Sequence, residues 1–200
     1  MKKIVIIGPE STGKSTLCGQ LADHYNTLWC PEYAREYLLK HGMDYTYDDL
    51  LTIAKGQVEL EEKFIEAVRK TENPKGGVDS HLNAGTAGLT DLPSSPLLFI
   101  DTDMYVMKVW CEFVFGNCHQ FILEQIVERK YDLYLFCNVD LPWVKDELRE
   151  YPDLETRNRL YFIYKDIMVN QSVPWVDISG GYEERLKKAI EAVEELVESK

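Results

Sequence analysis

Residues 3–16 read KIVIIGPESTGKST, a short unbroken apolar run followed directly by the pattern G-x-x-x-x-G-K-[ST]. Gly8, Gly13, Lys14 and Ser15 occupy its fixed positions. Glycines let backbone N–H groups turn inward around a phosphate, and a helix beginning near Lys14 adds the positive end of its dipole. We interpret the stretch as a phosphate-binding loop between a buried strand and a helix.

The chemistry of such a loop assigns roles to its side chains. A lysine at the position of Lys14 contacts the β- and γ-phosphates, and a hydroxyl at the position of Ser15 is a ligand of Mg²⁺. We therefore expect ATP and Mg²⁺ as cofactors, Lys14 as a catalytic residue and Ser15 as a metal ligand. The residues of the loop expected to bind ATP are Gly8, Glu10, Ser11, Thr12, Gly13, Lys14, Ser15 and Thr16.

Further apolar runs follow, also unbroken by polar alternation: TLWC (27–30), PLLFID (96–101), DLYLFCNV (132–139) and PWVDIS (174–179). Runs of this kind are typical of strands buried on both faces of a parallel sheet. Helical patterns lie between them, at 14–25, 33–41, 48–70, 103–130 with a break at Gly116, 141–171 and 182–199. The alternation predicts one α/β domain over residues 1–200, with right-handed crossovers.

Net charge and cysteine content limit the classes of partner and the cellular compartment that we expect. The net charge of −12 argues against nucleic acid or an anionic membrane surface as partner, although local donors can still bind phosphate. Five cysteines without a C-x-x-C pair predict reduced core thiols, and the apolar run at the start is too short for a signal peptide. We expect a cytoplasmic protein that acts on a small molecule, and its oligomeric state stays open. The Gly-, Ser- and Pro-containing segment 72–95 is interpreted as a disordered loop insertion.

Two aspartates end the run LLFIDTD (97–103). In nucleotide-binding folds, an aspartate that ends a strand beside the first one holds Mg²⁺, usually through water. We assign Asp101 to the metal on this ground. Asp103 could face the acceptor of a phosphoryl group or cap the following helix, and both interpretations stay open.

A charged stretch of helical pattern, about 141–165, follows the fourth apolar run. Arg149, Arg157 and Arg159 lie where kinases of this fold carry a lid, and a lid arginine neutralises charge on the transferring phosphoryl group. We predict Arg149 as a catalytic residue and Arg157 as an ATP-binding residue. The alternative is a solvated helix face with i,i+4 ion pairs.

The stretch WCPEYARE (29–36) places polar residues at the carboxyl end of the second predicted strand. Open α/β sheets bind ligands in this crevice, and a hydroxyl that accepts a phosphoryl group needs a carboxylate to orient it and take its proton. Glu32 is the first candidate for that catalytic role and Asp103 the second. The residues predicted to contact the acceptor are Glu32, Tyr33, Arg35, Asp103 and Trp110, with Phe113 as a further stacking surface. The alternatives are a helix-start charge for Glu32, a surface ion pair for Arg35 and a core position for Trp110.

The motifs GPESTGKSTL, PEYAREYL, FIDTD, KVWCEFVFG, PWVKDELR and ISGGYEERL together resemble the NadR-type ribosylnicotinamide kinase domain, over nearly the whole chain except 72–95. The resemblance implies a three-layer P-loop NTPase fold with a parallel five-stranded sheet and a helical lid. It implies phosphorylation of nicotinamide riboside to nicotinamide mononucleotide by ATP with Mg²⁺, with Glu32 and Asp103 facing the ribose. It places Asp146 and Arg149 in the lid, and Gly180, in ISGGYEERL, is counted among the ATP-binding residues.

The chain also differs from the family pattern. No adenylyltransferase or DNA-binding domain precedes residue 1, so we expect a kinase domain that stands alone. Pro31 stands where some relatives carry an aromatic residue, and Trp29 is a candidate replacement because it has the same strand parity. Two other functions stay open: a kinase for another nucleoside or vitamin precursor, and a non-catalytic ATP-binding sensor. A GTP switch is disfavoured because CNVD (137–140) lacks the lysine of Asn-Lys-x-Asp.

Overall fold

The computed structural model of the protein describes residues 1–72 and 96–198, with the backbone alone for residues 71 and 72. Each apolar run of the sequence contains one strand, so the predicted alternation of strands and helices is confirmed. In chain order the elements are β1 (Lys2–Ile7), α1 (Lys14–His24), β2 (Leu28–Cys30), α2 (Tyr33–His41), α3 (Tyr47–Glu72), β3 (Leu97–Asp101), α4 (Met104–Phe115), α5 (Gln120–Glu128), β4 (Leu133–Cys137), α6 (Leu154–Asn170), β5 (Trp175–Ile178) and α7 (Tyr182–Glu198).

The strands form one five-stranded sheet in the order β2-β3-β1-β4-β5, and every pairing is parallel. Strand β1 is central, with Ile6 level with Asp101 on one side and with Leu135 on the other. Because the strands are parallel, all their carboxyl ends lie at one edge, where open α/β sheets bind ligands. The predicted P-loop α/β fold with a five-stranded parallel sheet is confirmed.

Helices cover both faces of the sheet. Successive side chains of a strand point to opposite faces, so Ile4 and Ile6 pack against α1 and α7. Val5 and Ile7 pack on the other face with residues of α3, α4 and α6. Burial on both faces explains why the strands appear in the sequence as unbroken apolar runs.

A third apolar cluster holds α2, α3, α4 and α5 together beside β2. Leu38 of α2, Ile53 of α3, Met107 of α4 and Ile122 of α5 are buried in it. At about 1.5–3 kcal/mol for each large apolar side chain buried, such a cluster fixes the helices against one another. It thereby fixes the position of α2, which follows directly from the carboxyl end of β2.

The helix predicted over 141–171 is wrong in its first part. Helix α6 begins only at Leu154, and residues 141–153, here called the lid segment, are irregular. Two prolines, Pro142 and Pro152, interrupt the backbone N–H pattern of a helix there. Asp153 caps α6, since its carboxylate accepts a hydrogen bond from the Thr156 N–H at 2.7 Å. The predicted lid is therefore helical only from Leu154 onward.

Further expectations from the sequence concern the helix break, the cysteines and the segment 72–95. The break at Gly116 is confirmed: α4 ends at Phe115, and Gly116 takes the left-handed conformation with φ 68°. All five cysteines are free, as expected of reduced thiols. Of the segment 72–95, Glu72 is the last residue of α3 and the remainder lies outside the described residues. No helix in the described ranges combines the length and the apolar character needed to cross a bilayer.

Candidate active site

A cleft of about 570 Å³ lies at the carboxyl edge of the sheet. Its lining comes from the phosphate loop, the start of α2, one side of α4 and the lid segment. The cleft is therefore assembled from segments distant in the chain. The predicted site residues that line it are Gly8, Glu10, Ser11, Thr12, Gly13, Lys14, Ser15, Thr16, Glu32, Arg35, Asp101, Trp110 and Arg149.

The phosphate loop depends on unusual backbone conformations. Gly8 has φ 145°, and a Cβ there would lie 2.7 Å from the carbonyl oxygen of Cys137 at the end of β4. Gly13 has φ 80° and directly precedes α1. Ser11 is also left-handed, with φ 55°, a conformation that costs a non-glycine residue on the order of 1–3 kcal/mol. Backbone strain concentrated in one short loop is typical of a binding site.

The side chains of the loop close onto its own backbone. The Lys14 ammonium donates to the carbonyl oxygen of Pro9 at 2.9 Å, and the Thr12 hydroxyl donates to the same oxygen at 2.7 Å. Lys14 thus points back over the concave side of the loop, in the direction expected of a lysine that contacts phosphate.

Asp101 and Ser15, the two residues predicted to bind a metal, lie together in the cleft. The Ser15 hydroxyl donates to Asp101 Oδ2 at 2.5 Å, while the buried Oδ1 has no hydrogen-bond partner among the described residues. Thr102, next in the chain, has φ 79°, which is a strained value for a β-branched residue. A hydroxyl and a free carboxylate oxygen are hard ligands of the kind that Mg²⁺ prefers, so these two residues fit that metal. In the described part of the chain no group of three or more His, Cys, Asp or Glu could hold a metal by itself, so a nucleotide would supply further ligands.

Glu32 faces the same cleft from the start of α2. It is the N-cap residue by backbone position, yet its carboxylate does not cap the helix. Burial raises the pKa of its carboxyl, the nearby Asp101 carboxylate raises that pKa further, and Lys14 and Arg35 oppose the shift. Burial raises the pKa of Asp101 as well, against the effects of Lys14 and Ser15. A carboxylate with a raised pKa is suited to accept a proton near neutral pH.

The lid segment is docked on the phosphate loop through Glu10. The Glu10 carboxylate accepts hydrogen bonds from the indole N–H of Trp143 at 3.3 Å and from the backbone N–H groups of Glu150 at 2.9 Å and Tyr151 at 2.7 Å. Because the N–H groups of Glu150 and Tyr151 donate to Glu10, they do not donate to carbonyl groups of a helix, in agreement with the irregular conformation of the segment. The Glu10 side chain, predicted to bind ATP, is therefore engaged with the lid.

Arg149 is directed toward the phosphate loop. Its guanidinium donates to Ser11 Oγ at 3.2 Å and to the carbonyl oxygen of Val144. The same segment reaches α2, because Arg35 forms an ion pair with Asp146 at 3.1 Å. The lid segment thus bridges the two sides of the cleft.

Asp103 takes the second of its two predicted roles, that of a helix cap. Its Oδ1 accepts hydrogen bonds from the backbone N–H groups of Tyr105 at 3.0 Å and Val106 at 3.3 Å, and its Oδ2 accepts one from the Tyr134 hydroxyl at 2.8 Å. The side chain is buried and does not line the cleft. Burial raises its pKa from 3.8 to about 7, against the effect of these hydrogen bonds. The assignment of Asp103 to the acceptor or to catalysis is therefore corrected.

Tyr33 also turns away from the cleft. Its ring occupies the space above Gly56 of α3, where an added Cβ would lie 2.1 Å from the ring. Its backbone N–H donates to Gln57 Oε1 at 2.7 Å. Because helix–helix packing takes up the ring, the predicted contact of Tyr33 with the acceptor is corrected.

Two predicted ATP-binding residues lie outside the cleft lining. Arg157 is buried and donates to the carbonyl oxygens of Ser11 and Leu141, both at 3.3 Å, so it supports the loop from behind. Gly180 has φ 101°, and its N–H donates to Asp140 Oδ2 at 2.6 Å. In this structure Arg157 therefore stabilises the backbone of the phosphate loop, and Gly180 stabilises the loop after β5.

Sequence reasoning missed Arg185 of α7. The buried guanidinium donates to the carbonyl oxygens of Thr12 at 2.9 Å, Asn138 at 2.9 Å and Gly180 at 2.8 Å, and it also pairs with Asp140. It thereby ties together the loops that follow β1, β4 and β5. The signal was present in the sequence, since Arg185 lies on the apolar stripe of its helix, where an unpaired charge would be costly.

A phosphate loop after the first strand of a five-stranded parallel sheet, with a carboxylate at the end of the adjacent strand, defines a P-loop nucleotide-binding protein of the α/β class. The family model AAA_28, an AAA domain, matches residues 3–185, so the chain belongs to this family.

The resemblance to NadR is confirmed by sequence comparison. The chain is 26% identical, over 98% of its length, to the trifunctional NAD biosynthesis/regulator protein NadR of Salmonella typhimurium. It is 27% identical to the NadR of Escherichia coli, again over 98% of its length. The chain spans 43% of the length of each of these relatives.

Solved structures share the fold. A NadR protein in complex with NR superposes with a TM-score of 0.69 at 20% identity, covering 100% of this chain and 52% of the other. A NadR protein in complex with NAD and AMP-PNP gives 0.64 at 22% identity, covering 100% and 50%. A thymidylate kinase of Ehrlichia chaffeensis gives 0.60 at 13% identity, covering 96% and 98%.

Proposed function

We propose that the protein is a kinase that transfers the terminal phosphoryl group of ATP to a sugar hydroxyl of a nucleoside, and that the acceptor is nicotinamide riboside. The observation that carries the proposal is a single cleft in which the phosphate loop faces Glu32, a carboxylate of raised pKa. The similarity to NadR supports the choice of acceptor.

Each side of the cleft has its own part in the proposed reaction. The N–H groups of the phosphate loop and the Lys14 ammonium would hold the β- and γ-phosphates, and Arg149 would add positive charge from the lid segment. Glu32 would orient the acceptor hydroxyl and take its proton. Ser15 and Asp101 would hold Mg²⁺, which neutralises charge on the phosphates when it is bound.

The rest of the cleft suits an aromatic acceptor. Trp110, Phe113 and Tyr151 line it, and we call these three the aromatic wall. Rings of this kind bind flat ligands by stacking or by edge-to-face contact. The cleft volume of about 570 Å³ lies within the usual range of roughly 300–1,000 Å³ for small-molecule sites. A nucleoside could therefore place its sugar near Glu32 and its ring against the aromatic wall.

The decisive experiment is a panel of acceptors. Purified protein with Mg-ATP is expected to consume ATP faster when nicotinamide riboside is added, and less so with thymidine or uridine. Glu32→Gln should lower kcat by at least about 10²-fold, as expected for the loss of a general base. Glu36→Gln is the matched control, because Glu36 is exposed one turn later on α2 and does not line the cleft. Equal ATP consumption with and without every acceptor would reject the proposal in favour of an ATP-binding sensor.

A further inference from the structure

The carboxylate of Glu150 is held at the edge of the cleft by a chain of hydrogen bonds. The Tyr45 hydroxyl donates to it, with distances of 3.1 Å to Oε1 and 2.9 Å to Oε2. The same hydroxyl accepts from the indole N–H of Trp110 at 2.9 Å, and the two rings lie edge to face at 5.0 Å. Glu150 and Trp110 both line the cleft. The negative charge is therefore placed beside the aromatic wall.

The surroundings of Glu150 leave this charge uncompensated. Among the described residues Glu150 forms no salt bridge. The two arginines that line the cleft are engaged elsewhere, Arg149 with Ser11 and Arg35 with Asp146. Partial burial raises the pKa of the Glu150 carboxyl, the Tyr45 hydrogen bond opposes this, and the nearby Glu10 carboxylate adds to the rise. The Glu150 carboxylate therefore faces the cleft without an ion-pair partner among the residues that the structure describes.

The aromatic wall has the same electrostatic preference. Aromatic rings attract cations over their faces, because the ring quadrupole is negative there. Phe113 already shows this behaviour, since the Arg159 guanidinium lies over its ring at 5.2 Å. Phe113 and Tyr151 meet edge to face at 5.5 Å. A cation bound here would meet the Glu150 carboxylate and the rings of Trp110 and Tyr151, while Arg159 already lies over the ring of Phe113.

We infer that Glu150, positioned by Tyr45, makes the acceptor site selective for a positively charged aromatic ring, such as the pyridinium ring of a nucleoside, over a neutral ring of the same shape. The inference rests on the proposed function, because it needs the acceptor in this cleft with its ring toward the aromatic wall.

A matched pair of acceptors tests the charge directly. Nicotinamide riboside carries a cationic ring, and its 1,4-dihydro form keeps the ribose and the carboxamide but has a neutral ring. The wild type is expected to have the higher kcat/KM for the cation. Glu150→Gln should lower kcat/KM for the cation about tenfold, through KM, which corresponds to about 1.4 kcal/mol. The same variant should leave kcat/KM for the neutral form within about twofold, since Gln keeps the size of the side chain and its acceptor oxygen for Tyr45.

Glu155→Gln is the control for the loss of a negative charge on this side of the protein. Glu155 is exposed in the first turn of α6 and does not line the cleft, so neither acceptor should be affected. An equal loss for both acceptors in Glu150→Gln, or no loss for either, would overturn the inference.

Calorimetric titration with the two compounds, without ATP, separates this inference from the proposed function. If the wild type phosphorylates neither compound, the proposed acceptor is wrong, and binding alone decides the role of Glu150. Tighter binding of the cation that disappears in Glu150→Gln would support the inference. Equal affinity for the two compounds, or no binding of either, would reject it.

Discussion

The phosphate loop and the lid segment face each other across the cleft, and they are held by different kinds of interaction. The loop is fixed through contacts to its backbone: Gly8 packs against the carbonyl of Cys137, and the buried Arg185 donates to the Thr12 carbonyl. The lid segment (141–153) has few buried residues and is held mainly by side chains at the cleft mouth. A fixed phosphate loop and a lid segment that can move suit a site that ligands must enter and from which water must then be excluded.

The two regions meet at Glu10 and Ser11, which belong to the loop but bind the lid. Glu10 accepts hydrogen bonds from Trp143, Glu150 and Tyr151, and Ser11 Oγ accepts one from the Val144 N–H at 3.0 Å. These contacts lie near the surface, so water could replace the partners if the lid segment were to open. Glu10 and Ser11, which lie between the two glycines of the loop, therefore hold the lid segment in this structure.

The largest effect is expected from Lys14→Ala, which tests the rigid side alone. Loss of one preorganised donor to the phosphates should lower kcat by at least about 10²–10³-fold. The Lys14 ammonium donates to Pro9 within the loop and, among the described residues, has no hydrogen bond or ion pair with the lid segment, so tryptic cleavage after Lys145 should keep its wild-type rate. Lys40→Ala, on the exposed face of α2, is the control. Activity within a few-fold of wild type would show that the loop is not the catalytic cradle.

A smaller effect, a decrease in kcat on the order of tenfold, is expected from Glu10→Gln. The amide keeps one acceptor oxygen but cannot satisfy all three lid donors, so the lid segment should open more often. Opening should accelerate tryptic cleavage after Lys145, in contrast to Lys14→Ala. Glu183→Gln, exposed in the first turn of α7, should change neither quantity. If Glu10→Gln lowers kcat while cleavage of the lid segment stays at the wild-type rate, Glu10 acts on the phosphates. The hypothesis that Glu10 serves to hold the lid segment would then be rejected.

The rigid region is the one that the sequence predicts well. A phosphate loop is a local motif, in which Gly8, Gly13, Lys14 and Ser15 act within one short stretch, and the apolar runs place its flanking strand to within a residue. Asp101 follows from the same logic, because it ends a buried strand next to β1. These assignments depend on backbone geometry that neighbouring residues determine.

The position of the lid segment could not be predicted in the same way, because its contacts join residues far apart in the chain. Glu10 and Tyr151, or Tyr45 and Glu150, come together only once the whole domain has folded. The helical pattern after Leu141 was misleading, since Glu10 and Ser11 compete with a helix for the backbone donors of the lid segment. Tyr33 was predicted to contact the acceptor because it follows the carboxyl end of β2, but its ring packs over Gly56 of α3, a contact that the sequence does not reveal.

The smallest effect on activity is expected at Asp103, which lies two residues after Asp101 but belongs to neither region. Asp103→Asn keeps an oxygen for the backbone donors of Tyr105 and Val106, so kcat should stay within about threefold of wild type. The substitution should instead change the dependence of stability on pH. The native pKa of about 7 lies above the ordinary value of 3.8, so between these values the folded protein holds a proton that the unfolded chain releases. This group therefore contributes stability below pH 3.8 that is lost as the pH rises toward 7, by up to about 1.4 kcal/mol per pH unit.

Urea unfolding at pH 5 and pH 7.5 measures that difference. The wild type should lose stability relative to Asp103→Asn between these pH values, on the order of 2–3 kcal/mol, because asparagine has no proton to release. Asp44→Asn, in the exposed loop between α2 and α3, should follow the wild type. Parallel pH profiles for the wild type and Asp103→Asn would mean that the hydrogen bonds from Tyr134 and the helix start outweigh burial. If the turnover rate of Asp103→Asn instead drops by about 10²-fold or more, the loss expected for a general base, Asp103 must again be assigned to the acceptor site. Asp101 at the end of β3 and Asp103, two residues later, would then be the metal-side and the acceptor-side carboxylate.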